Sequence, residues 1–190
     1  MSMAPSHHTT ASDADDVRTS VVQGVSALGP SDKFIIDTDR LDLAHRYLDR
    51  EGIANWNPHR DQMALLDGVI WKSQDNTHGV AVKHVRDDEF WVSGHFPGRA
   101  MFPGVLMVEC GAQLGALLFS LRQEEKRLAA FLRIDKAVFR RAVEPGDDLY
   151  VLAREVKKQS RKFISDIQGV VDGQLCFEAR IEGLNIGPLE

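Results

Sequence analysis

The stretch from Val105 to Leu121 constrains this chain more than any other part, because it is apolar on every side and follows the breaker pair Pro103-Gly104. A helix without a polar face has to be buried, so the rest of the chain must supply a surface that encloses it. Gly111, Ala112, Gly115 and Ala116 keep one side thin, which lets a sheet or a second helix come close to the helix backbone. Glu109 and Gln113 interrupt the stretch, and no basic, signal-like start precedes it. Both features argue against a membrane span or a secretory peptide. A soluble, intracellular, cytoplasmic protein is expected.

Around this helix the signals are those of strands. Met63 to Trp71 and Val80 to Val85 are β-prone runs separated by the turn residues Asp75, Asn76 and Gly79, which reads as a hairpin. Beyond the helix, Ala129 to Phe139, Leu149 to Val156, Phe163 to Val171 and Gln174 to Glu182 are further candidates. In the last, Leu175, Phe177, Ala179 and Ile181 alternate with polar neighbours, a period of two that stops at Gly183. Asp172-Gly173 has the composition of a two-residue hairpin loop, and Pro145-Gly146-Asp147 marks another turn. The expected class is α+β, an antiparallel sheet curled around one long buried helix.

The 190 residues suit one domain of ordinary size. Residues 1–31 are rich in Ser, Thr, Asp and His and read as a mobile arm. Residues 32–57 form an extension, in which Thr38 as an N-cap and Leu41, Ala44 and Leu48 at helical spacing predict a short amphipathic helix ending at Gly52. Residues 58–190 are the domain proper. Only two cysteines, Cys110 and Cys176, are present, so neither a disulfide framework nor a thiolate metal site is expected. The net charge of -5 argues against nucleic acid as the main partner. Residues 122–162 nevertheless hold 12 Lys and Arg against 7 Asp and Glu, enough for one basic surface or simply for solvated strand faces.

Chemistry concentrates between Gly94 and Gln113. Glu109 stands among Met107, Val108 and Cys110 on the buried helix, where a carboxylate needs a partner or a purpose. Gln113, four residues on, shares its face and offers a hydrogen bond. A carboxyl group so placed suits proton donation. His95 lies in a loop punctuated by Pro97-Gly98 and Pro103-Gly104, and histidine is the natural general base near neutral pH. Gly104 presents a backbone N–H at the positive end of the helix dipole, where a carbonyl oxygen would be polarised. Base, acid and oxyanion donor together describe proton abstraction beside a carbonyl with loss of a β leaving group. The residues alone also leave open a structural loop histidine and an ion-paired helix glutamate. His59, His78 and His84 lack metal-ligand spacing and read as structural or solvated, and Trp56, Trp71 and Trp91 as packing residues.

The run Gly94-His95-Phe96-Pro97-Gly98 through Gly104 to Glu109, with Pro58-His59-Arg60 before it and Phe139-Arg140-Arg141 and Pro145-Gly146-Asp147 after it, resembles the 3-hydroxyacyl-acyl-carrier-protein dehydratases of fatty acid synthesis (FabZ/FabA type). That resemblance covers about residues 58–182 and implies the hotdog fold. It implies catalytic roles for His95 and Glu109, and oxyanion or substrate-binding roles for Gly104 and Gln113. The implied reaction is dehydration of a (3R)-hydroxyacyl thioester to the trans-2-enoyl thioester, with no metal or redox cofactor and with phosphopantetheine carried by the substrate. Implied partners are acyl carrier protein, for which Arg140 and Arg141 are candidate contacts, and a second copy of the chain. The implied homodimer, or a trimer of dimers, shares each site between two subunits. Ala100 and Phe102 depart from the family pattern and bear on the acyl tunnel rather than the reaction. Alternatives are a hotdog enoyl-CoA hydratase or thioesterase, or a non-catalytic hotdog subunit.

Overall fold

The computed structural model describes Leu28 and residues 31–188; most of the arm expected over residues 1–31 lies outside them. Seven strands form one sheet. In chain order they are β1 (Leu48–Asp49), β2 (Gly68–Lys72), β3 (His78–His84), β4 (Arg127–Phe139), β5 (Asp148–Lys158), β6 (Lys162–Val171) and β7 (Gln174–Pro188). Helix α1 spans Arg50–Ala54 and helix α2 spans Gly104–Ser120. The strand order is β1-β2-β3-β5-β6-β7-β4, with antiparallel neighbours throughout.

Helix α2 lies against β3, β4, β5, β6 and β7, and Cys110, Leu114 and Leu117 on it are fully buried. The small residues explain how closely it sits. A Cβ at Gly111 would lie 2.3 Å from Ile167 Cδ1 on β6, so only glycine admits the sheet at that distance. Asp172 and Gly173, at φ 49° and 70°, form the tight β6–β7 turn that the dipeptide suggested.

A second apolar cluster covers the opposite face of the sheet. Val80 and Val82 of β3, Ile70 and Leu152 meet Phe34, Ile35, Leu41 and Leu43 of the extension there. Ile35 N–H donates to Gln168 Oε1 at 2.9 Å, tying the extension to β6.

Four expectations need correction. The helix foreseen between Thr38 and Gly52 does not form. Two tight turns take its place, closed by Leu41 N–H to the Thr38 carbonyl at 3.2 Å and His45 N–H to the Asp42 carbonyl at 3.1 Å; they bring Leu41 and Leu43 to the outer cluster, and the Asp42 carboxylate accepts from Ala44 N–H, a local bond that competes with helix. The real helix begins later, with Asp49 Oδ1 accepting from Gly52 N–H at 2.8 Å as its N-cap. Next, the strand expected from Met63 begins only at Gly68. Asp61–Met63 is a 3-10 turn, and Leu65 N–H donates to the side chain of Gln113 rather than to a neighbouring strand. Finally, β7 continues past Gly183 to Pro188 along β4. Gly183 lies beneath Phe163, whose Cζ would be 2.2 Å from an added Cβ, so it makes room for a ring instead of ending the strand. The alternation also slips once in β7. Val170 faces Leu175 while Gly169 faces Phe177, a bulge at Cys176 that turns Leu175 to the outer cluster and leaves Phe177, Ala179 and Ile181 with the inner one.

Candidate active site

Between β3 and α2 the chain makes a series of turns that carry His95. Lys83 on β3 is buried, its side chain 3% exposed, and its Nζ lies 2.7 Å from Glu89 Oε1. The Glu89 carboxylate also accepts from Arg86 N–H at 2.8 Å and from Trp91 Nε1–H at 3.2 Å. Trp91 packs on Phe102 with ring centroids 5.4 Å apart, and its carbonyl accepts from His95 N–H at 2.8 Å. A buried ion pair thus holds the tryptophan that holds the histidine loop. Sequence reading gave Trp91 a packing role only and passed over Lys83 and Glu89, since nothing in their spacing marks them as partners.

Phe96-Pro97-Gly98-Arg99 closes as a turn through bonds between Phe96 and Arg99, with Gly98 at φ 80°. Proline then glycine at its centre is the type II pattern, in which the third residue needs the left-handed region. His95 Nδ1 lies 2.8 Å from the Met101 carbonyl oxygen. A carbonyl only accepts, so Nδ1 carries the proton and donates, and Nε2 is left with a lone pair. His95 stacks on the exposed Phe96, centroids 4.1 Å apart.

Gly104 is the first residue of α2, where the N–H has no intrahelical acceptor. A Cβ there would lie 2.7 Å from the Phe139 ring. His95, Met101, Gly104, Phe139, Arg140 and Arg141 line one surface cavity. Both arginines already have protein partners: Arg140 pairs with Glu178, and Arg141 donates to the Val171 carbonyl at 3.0 Å and reaches Asp172 at 3.4 Å.

Glu109 lies elsewhere. It lines a separate cavity of about 160 Å³ with His59, Ala112, Ala116, Phe131 and Phe163. The carboxylate is 18% exposed, so it faces a cavity rather than being enclosed as its apolar neighbours suggested. Gln113 Nε2 donates to Glu109 Oε1 at 2.9 Å and to the Met63 carbonyl at 2.8 Å, and its Oε1 accepts from Leu65 N–H at 3.1 Å. Both amide hydrogens are thus engaged, one of them on the carboxylate. His59 Nε2 lies 3.3 Å from the same Glu109 oxygen, although spacing gave this histidine no role. Its one signal was membership of the Pro58-His59-Arg60 run.

Cys110, next to the acid, is no nucleophile: burial pushes its thiol far above the ordinary range. Among the described residues no group of three or more His, Cys, Asp and Glu could hold a metal ion, and no helix is long and apolar enough to cross a membrane.

Lys83→Met tests the anchoring of the loop. Removing one partner of a buried pair costs about 3–5 kcal/mol, and here it also loosens Trp91. The melting temperature and the turnover should both fall, and Lys83→Met/Glu89→Gln should regain part of the stability. Unchanged melting in the single variant would show that the pair does not hold the loop.

Comparison with known proteins matches residues 57–180 to the FabA-like domain family. The 3-hydroxyacyl-[acyl-carrier-protein] dehydratase FabZ of Janthinobacterium sp. is 37% identical over 139 residues, 70% of this chain and 88% of that protein. The FabZ of Rickettsia africae is 36% identical over 141 residues, 72% of this chain and 95% of that protein. Among solved structures, the dehydratase heterocomplex ApeI:P of Xenorhabdus doucetiae superimposes with TM-score 0.62 at 20% identity, covering 74% of this chain and 92% of its own. Cj0977, a virulence protein of Campylobacter jejuni, gives 0.57 at 13% identity, with 76% and 95% covered. At these identities the two structures speak for a shared fold, the hotdog.

Proposed function

The chain belongs to the FabA-like family, and from that premise we propose that it is a hydro-lyase of fatty acid biosynthesis, converting (3R)-hydroxyacyl-acyl-carrier-protein to the trans-2-enoyl form. The observation that carries the reading is the orientation of His95, whose Nδ1–H is committed to Met101 so that Nε2 is the basic atom. Nε2 takes the proton from C2. The charge that develops on the thioester oxygen meets the N–H of Gly104 at the helix N-terminus. Glu109 gives its proton to the 3-hydroxyl, the C3–O bond breaks, the C2–C3 double bond forms and water leaves. The elimination has no net oxidation or reduction, so it calls for no redox cofactor, and phosphopantetheine arrives with the substrate. The reaction belongs in the cytoplasm.

His95 and Glu109 line different cavities of one chain, and β4 bears on both. Phe139 borders the histidine cavity, while Ala129, Ala130 and Phe131 border the carboxylate cavity. β4 is also an edge of the sheet, and Phe131, Leu132, Ile134, Val138 and Phe139 on it are 40–50% exposed. An apolar edge of that kind favours pairing. Two copies of β4 paired antiparallel about Ile134 would set Phe139 of one across from Ala129 of the other. A two-fold homodimer then joins each histidine half-site to the partner's carboxylate half-site. This supports a site shared between subunits, in a dimer or a trimer of dimers.

Arg140 and Arg141 sit at the rim of the histidine cavity, where an acidic carrier protein would dock. Converting both to Glu should raise KM for carrier-bound substrate roughly tenfold and weaken its salt dependence, with a short coenzyme A thioester little affected. Equal loss on both substrates would assign the arginines to the fold or the tunnel. Measuring water loss from (3R)-hydroxyacyl thioesters on carrier protein and on coenzyme A tests the proposal as a whole, and no turnover on either would overturn it.

A further inference from the structure

The role of His59 goes beyond that reaction, though it rests on the same reading of Glu109. Each turnover leaves Glu109 without the proton it gave to the departing hydroxyl, while His95 holds the proton from C2 on the other side of the substrate. The acid must be reloaded before the next forward turnover.

His59 is the titratable neighbour at the right place. Its Nε2 lies 3.3 Å from Glu109 Oε1, and its Nδ1 is buried with no partner among the described residues. His59 lines the Glu109 cavity and also a second one, of about 20 Å³, shared with Arg50, Asn57 and Gln113. A space of that size accommodates one water molecule. The ring is also held in place. Arg60 Nη1 donates to the carbonyls of His59 at 2.8 Å and Asn57 at 2.7 Å, Arg60 Nη2 donates to the carbonyl of Ala54 at 3.0 Å, and Asn57 Nδ2 donates to the Gln113 carbonyl at 2.9 Å.

We propose that His59 returns the proton to Glu109. Protonated His59 gives its Nε2 proton to the Glu109 carboxylate, which becomes the acid again, and the ring, left neutral with its proton on Nδ1, is reprotonated at Nε2 from solvent in the cavity it shares with Glu109. One N–H bond is broken and one O–H bond made at Glu109, and one N–H bond is restored from solvent. His59 touches no reacting atom and acts through Glu109. Gln113, donating to the same oxygen, has no proton to give up, so it cannot substitute.

The experiment compares His59→Ala and His59→Gln in the full chain. Glutamine keeps a donor near Glu109 but cannot carry a proton. Both variants should lose kcat roughly 10- to 100-fold with KM within about twofold, as expected for a group acting through the catalytic acid. Free imidazole should restore turnover to His59→Ala in proportion to its concentration while leaving wild type unchanged. If glutamine restores wild-type kcat, His59 only positions the carboxylate and the relay is wrong. Wild-type turnover in both variants overturns it equally. Should His59→Ala melt early, His59→Gln decides by the same kcat criterion. If wild type dehydrates and His95→Ala does not while the His59 variants remain fully active, only this inference fails. If wild type does not dehydrate at all, it is the reading of the reaction that fails.

Discussion

His95→Ala should lower the rate of dehydration roughly 10²- to 10⁴-fold while the melting temperature stays close to wild type, since a positioned general base contributes about that much. The side chain is partly exposed, and among the described residues it hydrogen-bonds to the Met101 carbonyl. The loop keeps its other ties, from His95 N–H to Trp91 and from Met101 N–H to the His95 carbonyl, so loss of activity would not reflect loss of fold. Glu109→Gln should inactivate to a similar degree for the complementary reason. The amide retains the shape and can still accept from Gln113, but it has no acidic proton to give. Circular dichroism and melting curves of both variants, alongside a spectrophotometric assay of enoyl thioester formation, check this. Turnover near wild type in either variant would remove that residue from the mechanism.

Two inactive chains should restore each other. In a two-fold dimer with sites shared across the interface, one His95→Ala chain paired with one Glu109→Gln chain contains one site with both groups intact and one with neither. With random pairing about half of the dimers are mixed and each has one working site of two. Co-expression should therefore recover roughly a quarter of wild-type activity, and the purified mixed dimer about half. Different tags on the two chains allow the mixed species to be isolated even where subunits exchange slowly. A folded mixed dimer as inactive as its parents would place both residues in one subunit's site, or in none. Substitution of Ile134, at the centre of the exposed β4 edge, would complement this by weakening the dimer itself.

The elements read most clearly from the sequence were those whose periodicity had one physical solution. A long segment after Pro103-Gly104 that is apolar on every side apart from Glu109, Gln113 and Ser120 reads as a buried helix, and α2 runs from Gly104 to Ser120. The glycines on its thin side meet the sheet, as their size requires. The four C-terminal strands and the Asp172-Gly173 turn were legible from β-propensity, alternation and turn chemistry, which are local properties. The segment from Thr38 to Gly52 was not legible, because Leu41 and Leu48 fit a helical period while two turns, at Thr38–Leu41 and Asp42–His45, are what bring Leu41 and Leu43 onto the sheet. An outer sheet face waiting to be covered decided between them. Position 183 was similar: glycine ends many strands, but here Phe163 on the neighbouring strand claims the space of its side chain.

At the candidate site, the sequence by itself determined the residue types, their order and the one contact that helical spacing dictates, between Gln113 and Glu109. Tertiary structure alone decided which groups surround them. His59 and Glu109 are fifty residues apart, and Lys83 and Glu89 stand on a strand and a turn with no common period. Tertiary structure also separated His95 from Glu109 into two cavities and left an apolar strand at the edge of the sheet. Periodicity reports which face of an element is buried. Which element it is buried against, and which edge is left for another chain, depends on strand order, which long-range pairing sets.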